Sequence, residues 1–182
     1  VFSEEHWKIL ENYFKEYVKR GCNMMLTPLF TSPLDTAVGL ERTTTQLIKV
    51  EVVKGEYRFD FSKLKRWIDL CKKCGIEYYE MSHLFSQWGA KYAPKVVAEV
   101  DGKEEKIFGW HTPAVGEYTR FLKAFLPQLI EKLKEWNIDQ VTYFHISDEP
   151  REEHLESYRV AKESLGNMLD RFHTFDALSS YE

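Results

Sequence analysis

Cysteine is scarce in this 182-residue chain: there are three, at Cys22, Cys71 and Cys74. The CKKC run from 71 to 74 has the spacing of a metal or redox pair, but no second pair exists to complete a zinc site. It also falls in the last turn of a predicted helix. Both cysteines are therefore read as helix-end residues, and neither a metal nor a cofactor is expected. Positive charge is short as well. The 25 Lys and Arg against 29 Asp and Glu leave a net charge of −4, without the basic excess that a nucleic-acid partner requires. No apolar run approaches the roughly 18 residues of a membrane span, so no membrane partner is expected. The chain opens on Val1 rather than Met and ends on LSSYE without an evident closing element. It is read as a piece of a longer protein, which leaves export and compartment unassigned.

What is present is material for one packed core. Hydrophobic residues make up 43% and aromatics 15% at the length of one ordinary domain, so residues 1–182 are taken as a single unit. Apolar residues recur at helical spacing through Trp7, Leu10, Phe14 and Val18, predicting a helix over 3–20 capped by Ser3 and stopped at Gly21. NMMLTPLF (23–30) predicts a strand that Pro28 ends. FSKLKRWIDLCKKCG then predicts a helix with Ser62 as cap, Leu64, Trp67, Ile68 and Cys71 on one face, and Gly75 as stop. IEYYEMSH (76–83) predicts a second strand, and residues 115–136 a third helix kinked or divided at Pro127. DQVTYFHIS (139–147) predicts a third strand, 152–171 a fourth helix and HTFDAL (173–178) a fourth strand.

Helix then strand, four times over, is the pattern of a parallel α/β sheet. Two long connections interrupt it, each after a strand: residues 45–61 alternate around KGE and 95–110 around DG, both predicting β-hairpins. Insertions after strands and short links after helices describe a TIM-type (β/α)8 barrel, whose site lies in the loops beyond the strand ends. A doubly wound sheet is the alternative. Four βα units are half of an eight-stranded barrel. The expected fold is therefore a partial TIM-type barrel, and its open edge is expected to make the isolated chain self-associate.

FHISDEPREEH (144–154) sets an Asp and a Glu side by side at the exit of the third strand. Alternation puts Thr142, Phe144 and Ile146 on one face and Tyr143, His145 and Ser147 on the other. Pro150 turns the chain out, so Asp148 and Glu149 are both free to turn toward one ligand. Adjacent carboxylates disfavour each other's ionisation, which is the condition of a general acid. Equally, SDEP is a helix-start string in which Ser147 or Asp148 caps the next helix. HLFSQWGAKYAP (83–94) and FGWHTP (108–113) add aromatic and polar groups suited to the apolar faces and polar edges of sugars. His83, Gln87, Trp88, Trp110 and His145 are expected to line a sugar pocket, with Tyr143 and Tyr79 behind them. Trp88 and Trp110 could instead only seal loops. Asn23 and Thr27 are expected to face the interior. Arg42 and Gln46 lie beyond the first strand, with Arg42 placed for an acid or sugar hydroxyls.

TPLF (27–30), ERTTTQL (41–47), YRFDFSKLKRWIDL (57–70), HLFSQWGAKYAPK (83–95), FGW (108–110), FHISDEP (144–150) and DALS (176–179) together resemble the catalytic barrel of glycoside hydrolase family 123. The resemblance spans nearly the whole chain but only part of the family's barrel, and the family's usual N-terminal β-sandwich is absent. It implies a retaining β-N-acetylgalactosaminidase in which the sugar's own 2-acetamido oxygen is the nucleophile. The family's adjacent acids map onto Asp148, which would hold the acetamido N–H, and Glu149, which would be the acid and base. A glycan is the implied partner. N-acetylgalactosamine and N-acetylglucosamine differ at one hydroxyl, and that choice stays open. Two other readings stand beside this one. The first is a metal-dependent hydrolase using His83, His145, Asp148 and Glu149, although no HExxH-like spacing supports it. The second is a carbohydrate-binding or inactive barrel fragment.

Overall fold

The computed structural model describes residues 1–32, 34, 37 and 39–177. Helix α1 spans Glu4–Lys19, with the Ser3 hydroxyl accepting from the His6 N–H at its start. It leads to strand β1, Met24–Thr27. The first hairpin follows as β2, Lys49–Val53, and β3, Glu56–Asp60. Its turn residues Lys54 and Gly55 are both left-handed, at φ 53° and 80°, as a tight two-residue turn requires. Helix α2 is Ser62–Cys74. Its first N–H is held by the Asp60 carboxylate at 2.7 Å, so Asp60 and not Ser62 supplies the starting acceptor. Gly75, at φ 93°, ends it. Strand β4 is Tyr78–Met81, and β5, Val96–Val100, with β6, Lys103–Phe108, makes the second hairpin. Helix α3 (Glu117–Glu135), β7 (Thr142–Phe144), α4 (Leu155–Ser164) and β8 (His173–Thr174) complete the described chain.

The fold is mixed α/β. One sheet runs β1-β4-β7-β8 with every neighbour parallel. Its register puts Met81 between Thr27 and Phe144, and Tyr79 beside Thr142. These five form a fully buried row. The opposite row holds Leu26, Tyr78, Glu80, Tyr143 and His173, all at least partly exposed. This corrects two expectations: Tyr79 and Thr27 belong to the buried row, where Tyr79 lies near Cys71 of α2. Asn23 is exposed and donates to Glu77.

The second sheet, β3-β2-β5-β6, was not anticipated. The two hairpins, read as separate insertions, join through parallel pairing of β2 with β5 at Glu51↔Glu99 and Val52↔Val100. Gln46 clips them together. Its amide nitrogen donates to the Ile48 and Val97 carbonyls at 2.6 and 2.8 Å, and its oxygen accepts from the Val97 N–H at 3.0 Å. Gln46 is thus a structural residue. The sheet packs on α3 through aromatic rings. Phe121 meets Tyr57 at 5.0 Å and Phe108 at 5.1 Å, while Phe125 meets Phe59 at 5.2 Å and Phe30 at 5.0 Å.

That packing explains why α3 stays one helix across Pro127. Phe125, Leu126, Leu129 and Leu133 are all fully buried around it, so tertiary contacts override the lost hydrogen bond. The third strand is shorter than expected, since 139–141 form a 3₁₀ turn, and α4 stops at Ser164. The expected last strand keeps only two residues, and its Leu178 lies outside the described residues. Burial pushes the Cys71 thiol well up, and Cys74 contacts the Glu11 carbonyl, in keeping with helix-end packing roles. No helix among the described residues is long and apolar enough to cross a membrane.

Phe121→Ala is expected to destabilise the fold by about 3–5 kcal/mol, because it removes the ring on which both hairpins converge. Urea unfolding followed by tryptophan fluorescence measures this, and a loss under about 1 kcal/mol would contradict the packing described.

Candidate active site

Regular pairing of β4 with β7 ends at Met81↔Phe144, but hydrogen bonding between the two segments does not. Leu84 N–H donates to the His145 carbonyl at 3.1 Å, Phe85 N–H to Ile146 at 3.0 Å and Trp88 N–H to Asp148 at 2.8 Å. The Ser147 hydroxyl donates to the Ser86 carbonyl at 2.8 Å. Buried backbone groups must find partners, and here they do so by running both chain segments side by side. The result sets His83, Gln87 and Trp88 against His145, Asp148 and Glu149. Tyr92 closes the first loop, its carbonyl accepting from Ser86 N–H and its own N–H donating to Ser86 Oγ.

The backbone is strained where the loops meet. Trp88, Ala90 and Glu149 are non-glycine residues in the left-handed region, at φ 57°, 55° and 44°. Such conformations cost about 1–3 kcal/mol each and cluster at functional sites. Gly89 between them sits at φ 103°, and a Cβ there would lie 2.8 Å from His154 Cβ. Only glycine allows the loop to rest on the start of α4.

His145 is the electrostatic centre. Its Nδ1 lies 3.1 Å from Asp176 Oδ1 and its Nε2 lies 2.7 Å from Glu80 Oε1. Burial alone would depress its pKa, but the two carboxylates outweigh burial and raise it to about 9. Asp176 also accepts from the Tyr158 hydroxyl at 2.5 Å and from the Ser147 N–H at 3.3 Å. His83 stacks on His145 with ring centroids 4.2 Å apart. Burial, and secondarily the His145 charge, lower its pKa to about 3. Glu80, Asp176 and Tyr158 were missed in the sequence. Glu80 carried a signal, since it is an acid in a mostly apolar strand on the same parity as Tyr78.

Asp148 is half-buried with its Oδ1 3.8 Å from His83 Nε2, and Glu149 beside it is exposed. The helix-start reading of this pair does not hold. The turn before α4 is capped at Arg151, whose N–H donates to His154 Nδ1, and Ser147 is engaged by Ser86. Trp88 is 39% exposed at the same rim. Gln87 is buried in the same loop.

Other expected residues lie apart from this core. Trp110 packs edge-on to Tyr92 at 5.9 Å, and its indole N–H donates to the Leu40 carbonyl. Arg42 is exposed and donates to the Leu34 carbonyl rather than to an acid. Both line a small pocket with Glu41 and Lys95. Tyr143 stands behind His145 on the open row, stacked on His173 at 5.4 Å. Among the described residues, the ligand atoms of His83, His145 and Asp176 lie within 4.8 Å of one another. They do not converge as metal ligands would. Both His145 nitrogens face carboxylates, and the two imidazoles are only 24° from parallel, so their in-plane lone pairs cannot meet at one point.

Carboxylates at the C-terminal edge of a parallel sheet, among loops from neighbouring strands, define the site position of the α/β enzymes. The family is specific: the model of the glycoside hydrolase 123 catalytic domain matches residues 1–182, and the chain belongs to that family. The solved structure of a family 123 glycoside hydrolase from Clostridium perfringens, described in connection with glycolipid glycan hydrolysis, shares the fold. It superposes with a TM-score of 0.70 at 21% identity, over 98% of this chain and 31% of that one. The present chain thus spans about a third of that relative's length. Among curated proteins none matches.

Two predictions follow from the histidines and the glycine. His83 stays neutral in the fold, so its contribution to stability is lost as pH falls from about 6.5 toward about 3. His145 has the opposite sign: its contribution is full below about 6.5 and is lost as pH rises through about 9. Unfolding free energy against pH is therefore expected to peak near the ordinary histidine value, with His145→Gln flattening the alkaline limb and His83→Gln the acid limb. Gly89→Ala is expected to cost more than about 1 kcal/mol, measured as a lower unfolding midpoint, and an unchanged midpoint would refute the close contact with α4.

Proposed function

We propose that the chain carries the acid pair of a retaining β-N-acetylhexosaminidase acting on terminal β-linked N-acetylgalactosamine, with the substrate's 2-acetamido oxygen as nucleophile. The observation that carries this reading is that Asp148 and Glu149 are adjacent at the exit of β7, the first half-buried and the second exposed at the rim. Glycosidases that use two separate carboxylates hold them about 5–9 Å apart across the scissile bond. Neighbouring residues suit a scheme in which both act around one acetamido sugar.

Asp148 accepts the acetamido N–H and stabilises positive charge as the acetamido oxygen attacks the anomeric carbon. Glu149 protonates the departing glycosidic oxygen, giving an oxazolinium. It then takes a proton from the water that opens this intermediate, and configuration is retained. Trp88 offers an aromatic face to the sugar, and the protein groups around His145 hold the loop geometry. Trp110 and Arg42 are assigned to a flanking part of the same glycan surface. The parallel β1-β4-β7-β8 sheet with helical crossovers supports reading residues 1–182 as one unit of a TIM-type (β/α)8 barrel. The half-exposed row of Leu26, Tyr78 and Tyr143 then faces the barrel interior, and its open edge accounts for the expected self-association of the isolated chain. The Clostridium perfringens relative is described with glycolipid glycans, and a glycan is the substrate class proposed here.

In the full-length protein, Glu149→Gln is expected to slow cleavage of poor leaving groups by about 10²–10⁴-fold while largely sparing activated aryl glycosides. Asp148→Asn is expected to slow both. Steady-state kinetics on paired aryl and alkyl N-acetyl-β-galactosaminides decides this, and undiminished turnover in both variants would remove the assignment.

A further inference from the structure

Both ring nitrogens of His83 are buried without a hydrogen-bond partner among the described residues, in a side chain only 4% exposed. Unsatisfied buried polar atoms are costly and demand an explanation. The ring is also held in place, stacked on His145 and carried by the hydrogen-bonded segment that joins 84–88 to 145–148. Its Nε2 stops 3.8 Å from Asp148 Oδ1, about 1 Å beyond a charge-assisted hydrogen bond.

We propose that His83 is the positioning residue of the acid pair, its Nε2–H closing onto Asp148 Oδ1 when a glycan occupies the site. The inference rests on the reading of Asp148 and Glu149 given above, and it adds how Asp148 is aimed. Charge on the donor matters here. An imidazolium would pair with Asp148 and draw its charge away from the acetamido group. A neutral imidazole orients the carboxylate and leaves that charge for the developing oxazolinium. The surroundings enforce the neutral form. The ring is buried, and its stacking partner His145 is held between Glu80 and Asp176, with Tyr158 on the far oxygen of Asp176. Among the described residues, those groups and Asp148 are the titratable side chains that face His83 directly or through His145. The depressed His83 pKa accords with this, with burial as its main cause and His145 second.

The test is a double-mutant cycle in the full-length protein on an aryl N-acetyl-β-galactosaminide, comparing His83→Gln, His83→Phe, Asp148→Asn and His83→Phe with Asp148→Asn. Loss of a hydrogen bond to a charged group corresponds to about 10–100-fold. His83→Phe is expected to lower kcat by that factor with KM little changed. His83→Gln, which keeps an N–H donor, is expected to stay within a few-fold of wild type, and the double variant to match Asp148→Asn. Equal losses in His83→Gln and His83→Phe, or additive losses in the double variant, would overturn the proposal. If the wild type turns over no aryl N-acetylhexosaminide, the functional reading fails by itself. Coupling is then read from imidazole ¹⁵N shifts of His83 in the presence of N-acetylgalactosamine. A change on Asp148→Asn supports the His83–Asp148 contact, and unchanged shifts refute it.

Discussion

His145 leaves the end of β7 with one ring nitrogen on Glu80 of β4 and the other on Asp176 just beyond β8, so that a single imidazolium ties three neighbouring parallel strands together where the loops depart. A buried cation between carboxylates is not a large source of net stability, since desolvation offsets most of the attraction. Its effect is geometric. Removing one partner would strand a buried charge, so the ring, both acids and the strands that carry them have one mutual arrangement. The Ser147 N–H joins the same Asp176 oxygen, which extends the clamp to the residue before the acid pair. His83 lies on the other side of the ring and inherits its position from it.

The strained loop geometry depends on this clamp. Left-handed Trp88, Ala90 and Glu149 would relax if the two strand ends could slide, and the backbone bonds from 84–88 to 145–148 prevent sliding. The second sheet contributes from a distance. Its two hairpins, clipped by Gln46 and seated on α3 through Phe121 and Phe125, fix Tyr92 and Trp110 beside the loop that carries Trp88. Stability therefore resides in the aromatic layer and the buried strand row, and the proposed chemistry at the rim.

Much of this was legible in the sequence where local chemistry decides. Ser3, Gly21 and Gly75 bound their helices as caps and stops do, and KG and DG formed the expected turns, because each depends only on neighbours along the chain. The parallel order of β1, β4, β7 and β8 followed from alternating helix and strand periodicity. What escaped were features made by distant residues. Pairing of β2 with β5 joins segments almost fifty residues apart, and nothing local announces it. Strand parity was read wrongly for Tyr79 and Thr27, since facing depends on which row the helices cover. The helix-start reading of SDEP failed because Ser86, in the loop after β4, claims the Ser147 hydroxyl. Glu80 and Asp176 became meaningful only once folding brought them to one histidine.

The chemistry proposed above, in which Asp148 holds the amide of an acetamido sugar and Glu149 moves the proton, rests on the placement of these two acids at the rim. The most direct measurement is a crystal structure of the full-length protein with an N-acetylgalactosamine thiazoline, a stable mimic of the cyclised intermediate. The account predicts Asp148 hydrogen-bonded to the thiazoline nitrogen and Glu149 beside the anomeric carbon on the face that the leaving group vacates. A thiazoline bound elsewhere, or bound here with both carboxylates turned into backbone contacts, would contradict it.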